Sequence, residues 1–135
     1  MLLGMGAYGD EPSKNDSIIE YRQHIMKTLN EQSAALGQIL STTVPDTNTQ
    51  VHLQTIALAA SLALKAFEPK VPGGEAKPDV WANWPDFSKR MNEFAQKTAA
   101  AAKDAREHGK DAGLADVADA LTCKSCHKIY RHEKK

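Results

Sequence analysis

The stretch CKSCHKIYR at 123–131, near the end of a 135-residue chain, contains the only two cysteines in the sequence. Two residues separate Cys123 from Cys126, and His127 follows directly. Two thiols at this spacing add across the two vinyl groups of one porphyrin, while the adjacent imidazole reaches the iron. The motif therefore predicts one covalently bound haem c, with His127 as an axial ligand of the iron.

Two other chemistries use closely spaced cysteines, and the setting of the motif fits neither. A thioredoxin-like dithiol opens a helix after a strand in a βαβ unit, whereas no segment of this sequence alternates like a strand. A zinc site needs four ligands, and the only nearby supplement is His132. Haem attachment is therefore the preferred interpretation.

Composition limits the class of protein. A chain of 135 residues fits one domain with a real core. Lys plus Arg and Asp plus Glu balance at 17 each, so no net charge attracts nucleic acid or an anionic membrane. The longest apolar run falls short of the ~20 residues of a membrane span. We expect a protein without a membrane span or a nucleic-acid partner, and no catalytic constellation is visible that would make it an enzyme.

The N-terminal residues 1–16 are predicted to be a tail or the remnant of an export signal, and residues 17–135 the haem domain. Apolar residues at 2, 3 and 5 and small residues at 7 and 9 are compatible with an export signal. No basic residue precedes Lys14, however, and a frayed tail is the alternative.

Apolar periodicity predicts four helices. The first starts near Ser17, where Ser17 and Glu20 have capping-box spacing, and a turn follows at 42–48. After a second helix and a Pro- and Gly-rich loop at 69–78, a third runs from Trp84 to Gly109, and a fourth carries 123–130 in its last turns. The stripes are Ile18, Ile25, Leu29, Leu36 and Ile39; Leu53, Ile56, Ala60, Leu64 and Phe67; Phe87, Met91, Phe94, Thr98, Ala101 and Ala105; and Leu114, Val117 and Leu121. The predicted fold is all-α, an antiparallel up-and-down four-helix bundle with the haem near the C-terminal helix.

The second predicted helix is apolar on nearly every side. Leu58 and Leu62 lie outside its core stripe, so their burial would require a second partner. The sequence therefore favours a homodimer.

With these features the sequence resembles the class II cytochromes c, which comprise cytochrome c-prime and its low-spin, methionine-ligated relatives. In that family the haem motif lies on the last of four helices and is followed by Tyr-Arg, as at 130–131 here. The resemblance extends to Tyr-Arg-Gln at 21–23, to KPDVW at 77–81 and to Phe87 and Phe94. It spans roughly 18–131. It implies a periplasmic bacterial protein, often a homodimer through its first two helices, that transfers single electrons or binds small gases.

By this resemblance, the sixth coordination position of the iron faces Met26. Ligation by its thioether would give a six-coordinate, low-spin haem, so the leading interpretation is a monohaem electron carrier with His127 and Met26 as axial ligands. The alternative is a five-coordinate cytochrome c-prime that binds nitric oxide or carbon monoxide at an open distal face, with Met26 as core filler. A structural haem bundle without a redox partner is a third possibility.

The resemblance also places Arg22 and Gln23 near the haem propionates, and an arginine is a natural partner for a carboxylate; a solvated helix face is the alternative. Arg131 is predicted to border the haem as well. The basic residues at the haem-bearing end are Lys124, Lys128, Arg131, Lys134 and Lys135. They would either dock an acidic redox protein at the haem edge or complement the dipole of the last helix.

The remaining candidate ligands are assigned to other roles. Met91 lies on a core stripe and is predicted to pack there, while His24, His52 and His108 are predicted to be surface or hydrogen-bonded histidines. His132 is too close to His127 in the sequence to reach the opposite face of the haem.

Overall fold

The computed structural model describes residues 13–133, which form six helices. They are α1 (Lys14–Leu40), α2 (Thr49–Phe67), α3 (Asp79–Ala82), α4 (Trp84–His108), α5 (Lys110–Ala120) and α6 (Cys123–Tyr130). The main packing places α1 on α2, α2 on α4 and α4 on α5. The long helices, with α5 and α6 as the fourth, form the predicted all-α four-helix bundle, which is therefore confirmed. Among the helices of residues 13–133, none combines the length and apolarity that a bilayer crossing needs.

Helix α1 begins earlier than the sequence analysis predicts. Ser13 caps it: the Ser13 hydroxyl accepts the Asp16 N–H at 3.1 Å, and the Asp16 carboxylate accepts the Ser13 N–H at 3.3 Å. The predicted start near Ser17 is wrong because Ser17 and Glu20 repeat the capping-box spacing inside the helix. There the Ser17 N–H already bonds the Ser13 carbonyl at 3.0 Å. The sequence before residue 13 lies outside the described residues.

The core forms where the predicted stripes meet. Leu36, Leu53, Ile56 and Val117 are among its most completely buried side chains, and Met91 is buried there as predicted. Gly113 allows α5 to approach α4 closely, since a Cβ at this position would lie 2.5 Å from the Ala105 Cβ. Helix α4 ends before Gly109, whose φ of 97° reverses the chain directly into α5.

The predicted fourth helix is two helices rather than one, which corrects the sequence prediction. Leu121 (ψ 69°) and Thr122 (ψ 40°) leave the helical region between α5 and α6. In an unbroken helix, Tyr130 would lie about 160° around the axis from Leu114, away from the core stripe. The break turns α6 so that Tyr130 is buried together with Leu114.

Candidate functional site

Helix α6 presents its chemistry-bearing side chains on one side. At 100° per residue, Cys123, Cys126, His127 and Tyr130 fall within about 100° of the helix circumference. Cys123 is exposed, Cys126 and His127 are half-buried, and Tyr130 is only 4% exposed. Two thiols and an imidazole on one side of one helix fit the attachment of a single flat macrocycle.

Burial and nearby charges shift the pKa values of Cys126 and His127. Burial raises the pKa of the Cys126 thiol, and the positive charge of Arg90 partly opposes this. Burial also lowers the pKa of His127, Arg131 lowers it further, and Glu75 acts in the opposite direction. The His127 imidazole is therefore held neutral, which is the form that ligates a metal.

A polar network anchors the end of α6 to α4. The Tyr130 hydroxyl donates to the Asp86 carboxylate, which also accepts the Arg90 Nε–H at 2.8 Å. The Asn83 amide donates to the Tyr130 oxygen at 3.3 Å. The Tyr130 ring meets the Phe87 ring edge to face at 5.2 Å and 84°. Tyr130, three positions after His127, thus fixes the orientation of α6.

This network predicts a loss of stability at high pH. Burial, followed by the bond to Asp86, raises the pKa of Tyr130 to about 12, whereas an unperturbed tyrosine titrates near 10. The folded state thus retains a proton that the unfolded chain releases. The stabilisation is complete below about pH 10 and is lost as the pH rises through about 12. Urea unfolding of the haem-loaded protein at increasing pH measures the decline.

Tyr130→Phe should reduce this decline and lower the free energy of unfolding at neutral pH by about 1 kcal/mol. Tyr21→Phe is the matched control, because Tyr21 is exposed and its phenol should contribute little. A decline of the same size in Tyr130→Phe and in the unmodified protein would contradict the assignment.

Met26 lies half-buried on α1 between the buried residues Ile25 and Leu29. Its side chain packs against the hydrophobic cluster that Cys126 of α6 also contacts. Both helices thus pack on the same core, which the whole bundle shares. Ligation of iron by Met26 stays a prediction.

Arg22 is not on a solvated face, so that alternative is wrong. Its side chain is 2% exposed, and its two terminal nitrogens donate to the carbonyls of Val71 at 2.7 Å and Gly73 at 2.9 Å. The guanidinium also lies over the rings of Phe67 and Trp81, 5.3 and 5.2 Å from their centroids. Arg22 thus holds the loop at 71–73, and its predicted contact with a haem propionate stays a prediction.

Gln23, the neighbouring candidate, is exposed to solvent. Its side-chain nitrogen lies close to Gly74 of the same loop. A Cβ on Gly74 would approach the Gln23 Nε2 to 2.8 Å, and the φ of 58° at Gly74 favours glycine. A role of Gln23 towards haem also stays a prediction.

Arg131 is engaged within the protein. Its Nε–H donates to the Glu75 carboxylate at 2.6 Å, and a terminal nitrogen pairs with the same oxygen. Lys124 and Lys128 are exposed and line a cleft beside His127, which Arg131 also borders. Residues 134 and 135 lie outside the described chain. Sequence reasoning missed Glu75, whose partner is 56 residues away and shares no local pattern with it.

His24, His52 and His108 each have a side chain as partner. His24 lies 3.5 Å from Glu20, the Nδ1 of His52 lies 2.7 Å from the Gln32 Oε1, and the Nδ1 of His108 lies 2.5 Å from Asp104. These contacts agree with their predicted surface or hydrogen-bonded roles.

A four-helix bundle whose last helix carries Cys-x-x-Cys-His is the architecture of a bundle-type c-type haem protein. The family model described as Cytochrome C' matches residues 17–131, and the chain belongs to this family. The predicted resemblance to class II cytochromes c is thus confirmed. The cofactor is one haem c, bound covalently through Cys123 and Cys126.

Individual relatives agree with this assignment. Cytochrome c' of Alcaligenes xylosoxydans xylosoxydans is 25% identical over 127 residues, which cover 90% of this chain and 98% of that protein. A ferrous variant of cytochrome c prime from Alcaligenes xylosoxidans has the same fold, with a TM-score of 0.80 at 21% identity over 92% of this chain and all of that one. Cytochrome c prime from Shewanella frigidimarina gives a TM-score of 0.76 at 22% identity over 91% of this chain and 100% of that chain.

Proposed function

We propose that this protein is a five-coordinate cytochrome c' that binds nitric oxide or carbon monoxide on the haem face opposite His127. The observation that carries the proposal is the packing of Met26 against the hydrophobic cluster, the usual role of a core methionine. Family membership supports it, and a mutant of the Alcaligenes xylosoxidans protein has been solved as its nitric oxide complex. When bound, haem c supplies an iron that changes between Fe(III) and Fe(II) and offers an axial position to a small gas.

The residues of this chain have separate roles towards the haem. Cys123 and Cys126 would hold the macrocycle, and the neutral His127 imidazole would bind its iron. Met26 would present an apolar side chain to the other side of the haem and would help to exclude water there. Tyr130, bonded to Asp86, fixes the helix that carries the first three.

The rival function is the electron carrier preferred on sequence, with Met26 as the second axial ligand. Met26 is half-buried rather than fully enclosed, so the core residues do not cover its whole side chain. The exposed Lys124 and Lys128 would then dock an acidic redox protein. Both hypotheses use the same haem-binding residues, and at the iron they differ in the sixth ligand.

Two measurements separate the gas-binding and electron-carrier hypotheses. They are the ferric spin state and the affinity of the ferrous protein for carbon monoxide. We expect a high-spin ferric electron-spin spectrum for the unmodified protein, and we expect Met26→Ala to remain high-spin. Removing the thioether chain unblocks the distal face, so the variant should bind carbon monoxide about tenfold more tightly, equal to about 1.4 kcal/mol.

Met91→Leu is the control, because Met91 is a buried core methionine and a Leu-for-Met exchange conserves volume; its carbon monoxide affinity should not change. A low-spin spectrum in the unmodified protein that becomes high-spin in Met26→Ala would establish ligation by Met26 and reject the proposed function.

We also propose a homodimer that forms through α2. Val51, Leu58 and Leu62 are 61%, 68% and 50% exposed, and their spacing of seven and four residues places them on one face of the helix. A second copy would cover this apolar face. We further propose an exported, periplasmic protein, as the family resemblance implies, and one without catalytic activity.

A further inference from the structure

The segment 71–76 of the connection between α2 and α3, here called the crossover strap, lies against helix α1. Arg22 of α1 donates to the carbonyls of Val71 and Gly73. Gly73 lies so close to Ile19 that a Cβ there would come within 2.7 Å of the Ile19 Cδ1. One end of the strap is therefore fixed on the N-terminal half of α1.

The other end of the strap is bonded to the residues at the end of α6. Glu75 pairs with Arg131, and Ala76 forms an isolated antiparallel bridge with Arg131. The His132 N–H donates to the Glu75 carbonyl at 2.7 Å, and the Lys77 N–H, directly after the strap, donates to the Tyr130 carbonyl at 2.9 Å. The strap thus joins α1 to the haem-bearing helix.

The two attachment points lie one helical turn from the proposed haem-facing residues. Arg22 precedes Met26 by four residues, and Arg131 follows His127 by four. The Arg131 N–H also donates to the His127 carbonyl at 3.0 Å, so a movement of Arg131 is transmitted to the turn that carries His127.

We infer that the crossover strap is a brace that sets the separation of α1 and α6, and that Glu75 and Arg131 are positioning residues that control access to the Met26 face of the haem. The access part rests on the proposed function. The brace itself would act on the iron in the same way if Met26 were a ligand.

The two ends of the strap differ in how firmly they are held. The Arg22 end is buried, whereas both side chains of the Glu75–Arg131 pair are partly exposed to solvent. Partly exposed ion pairs contribute little to global stability and are screened by salt. Breaking the Glu75–Arg131 pair should therefore loosen the brace at α6 without unfolding the bundle.

The test uses haem-loaded Glu75→Gln, Arg131→Gln and the double variant, with Glu68→Gln as the control. Glu68 is exposed and lies at the start of the same connection, so its substitution removes the same charge outside the strap. Two quantities are measured: hydrogen exchange at the Lys77 and His132 amides, and the affinity of the ferrous protein for carbon monoxide.

In each single variant these two amides should exchange faster than in the unmodified protein. The affinity for carbon monoxide should rise about twofold or more. The double variant should match the singles, because each single already breaks the same pair. Glu68→Gln should match the unmodified protein in both measurements.

Two results would overturn the inference. Opposite shifts in affinity for Glu75→Gln and Arg131→Gln would show that only their charges act on the haem. Faster exchange with unchanged affinity would show that the strap is merely structural. If the unmodified protein binds no carbon monoxide, the proposed function fails alone. The brace is then tested by the ferric spin state, which both single variants should shift in the same direction and Glu68→Gln should not.

Discussion

Cys123→Ser combined with Cys126→Ser should abolish covalent haem attachment. A serine hydroxyl does not replace the thiol that adds across a porphyrin vinyl group, and these are the only two cysteines of the chain. Each single variant should retain one thioether bond. The measurement is haem retention after acid extraction under denaturing conditions, with the mass of the intact chain confirming the number of haem groups.

Ser125→Ala is the matched control within the motif. Ser125 is exposed, and its hydroxyl donates to the Thr122 carbonyl at 2.9 Å, so its loss affects only the first turn of α6. This variant should retain its haem as fully as the unmodified protein. Haem that resists extraction from the double cysteine variant would mean that another side chain forms the covalent link.

The haem-attachment motif was predictable from the sequence because its residues are contiguous. The three attachment residues lie within five positions, and helix geometry alone then places them on one side of α6. The long helices were predictable for a similar reason, since an apolar residue every three or four positions is a local pattern. The local sequence also indicates the break before α6, because an unbroken helix would place Tyr130 on nearly the opposite side from Leu114.

The surroundings of the site were not predictable in the same way. Arg22 donates to two main-chain carbonyls that lie 49 and 51 residues away, and every residue carries such a carbonyl whatever its side chain. The pairing of Glu75 with Arg131 spans 56 residues and depends on how the loop crosses the bundle. Long-range contacts to a loop are set by tertiary packing, which apolar periodicity does not encode.

Arg22→Ala should lower the free energy of unfolding by about 3 kcal/mol, the largest stability effect that we expect from a single side chain. Hydrogen bonds from a charged donor each contribute about 1.5–3 kcal/mol, and the stacking on Phe67 and Trp81 adds a cation–π contribution. The contributions are not additive, because one guanidinium makes all of them. Urea unfolding of the haem-loaded protein measures the change, provided that the slope with denaturant stays constant.

Two comparisons identify the cause of the Arg22 effect. Arg22→Lys should lose part of the stability, because a single ammonium group does not reproduce the planar fork that reaches two carbonyls and lies over two rings. Arg106→Ala removes an exposed arginine from α4 and should change the stability by no more than about 0.5 kcal/mol. If Arg22→Ala lowers the free energy of unfolding as little as Arg106→Ala does, the bonds from Arg22 to the strap are not what holds the loop. If Arg22→Ala shifts the reduction potential strongly and the stability weakly, its main partner is a haem propionate, as the family resemblance implies.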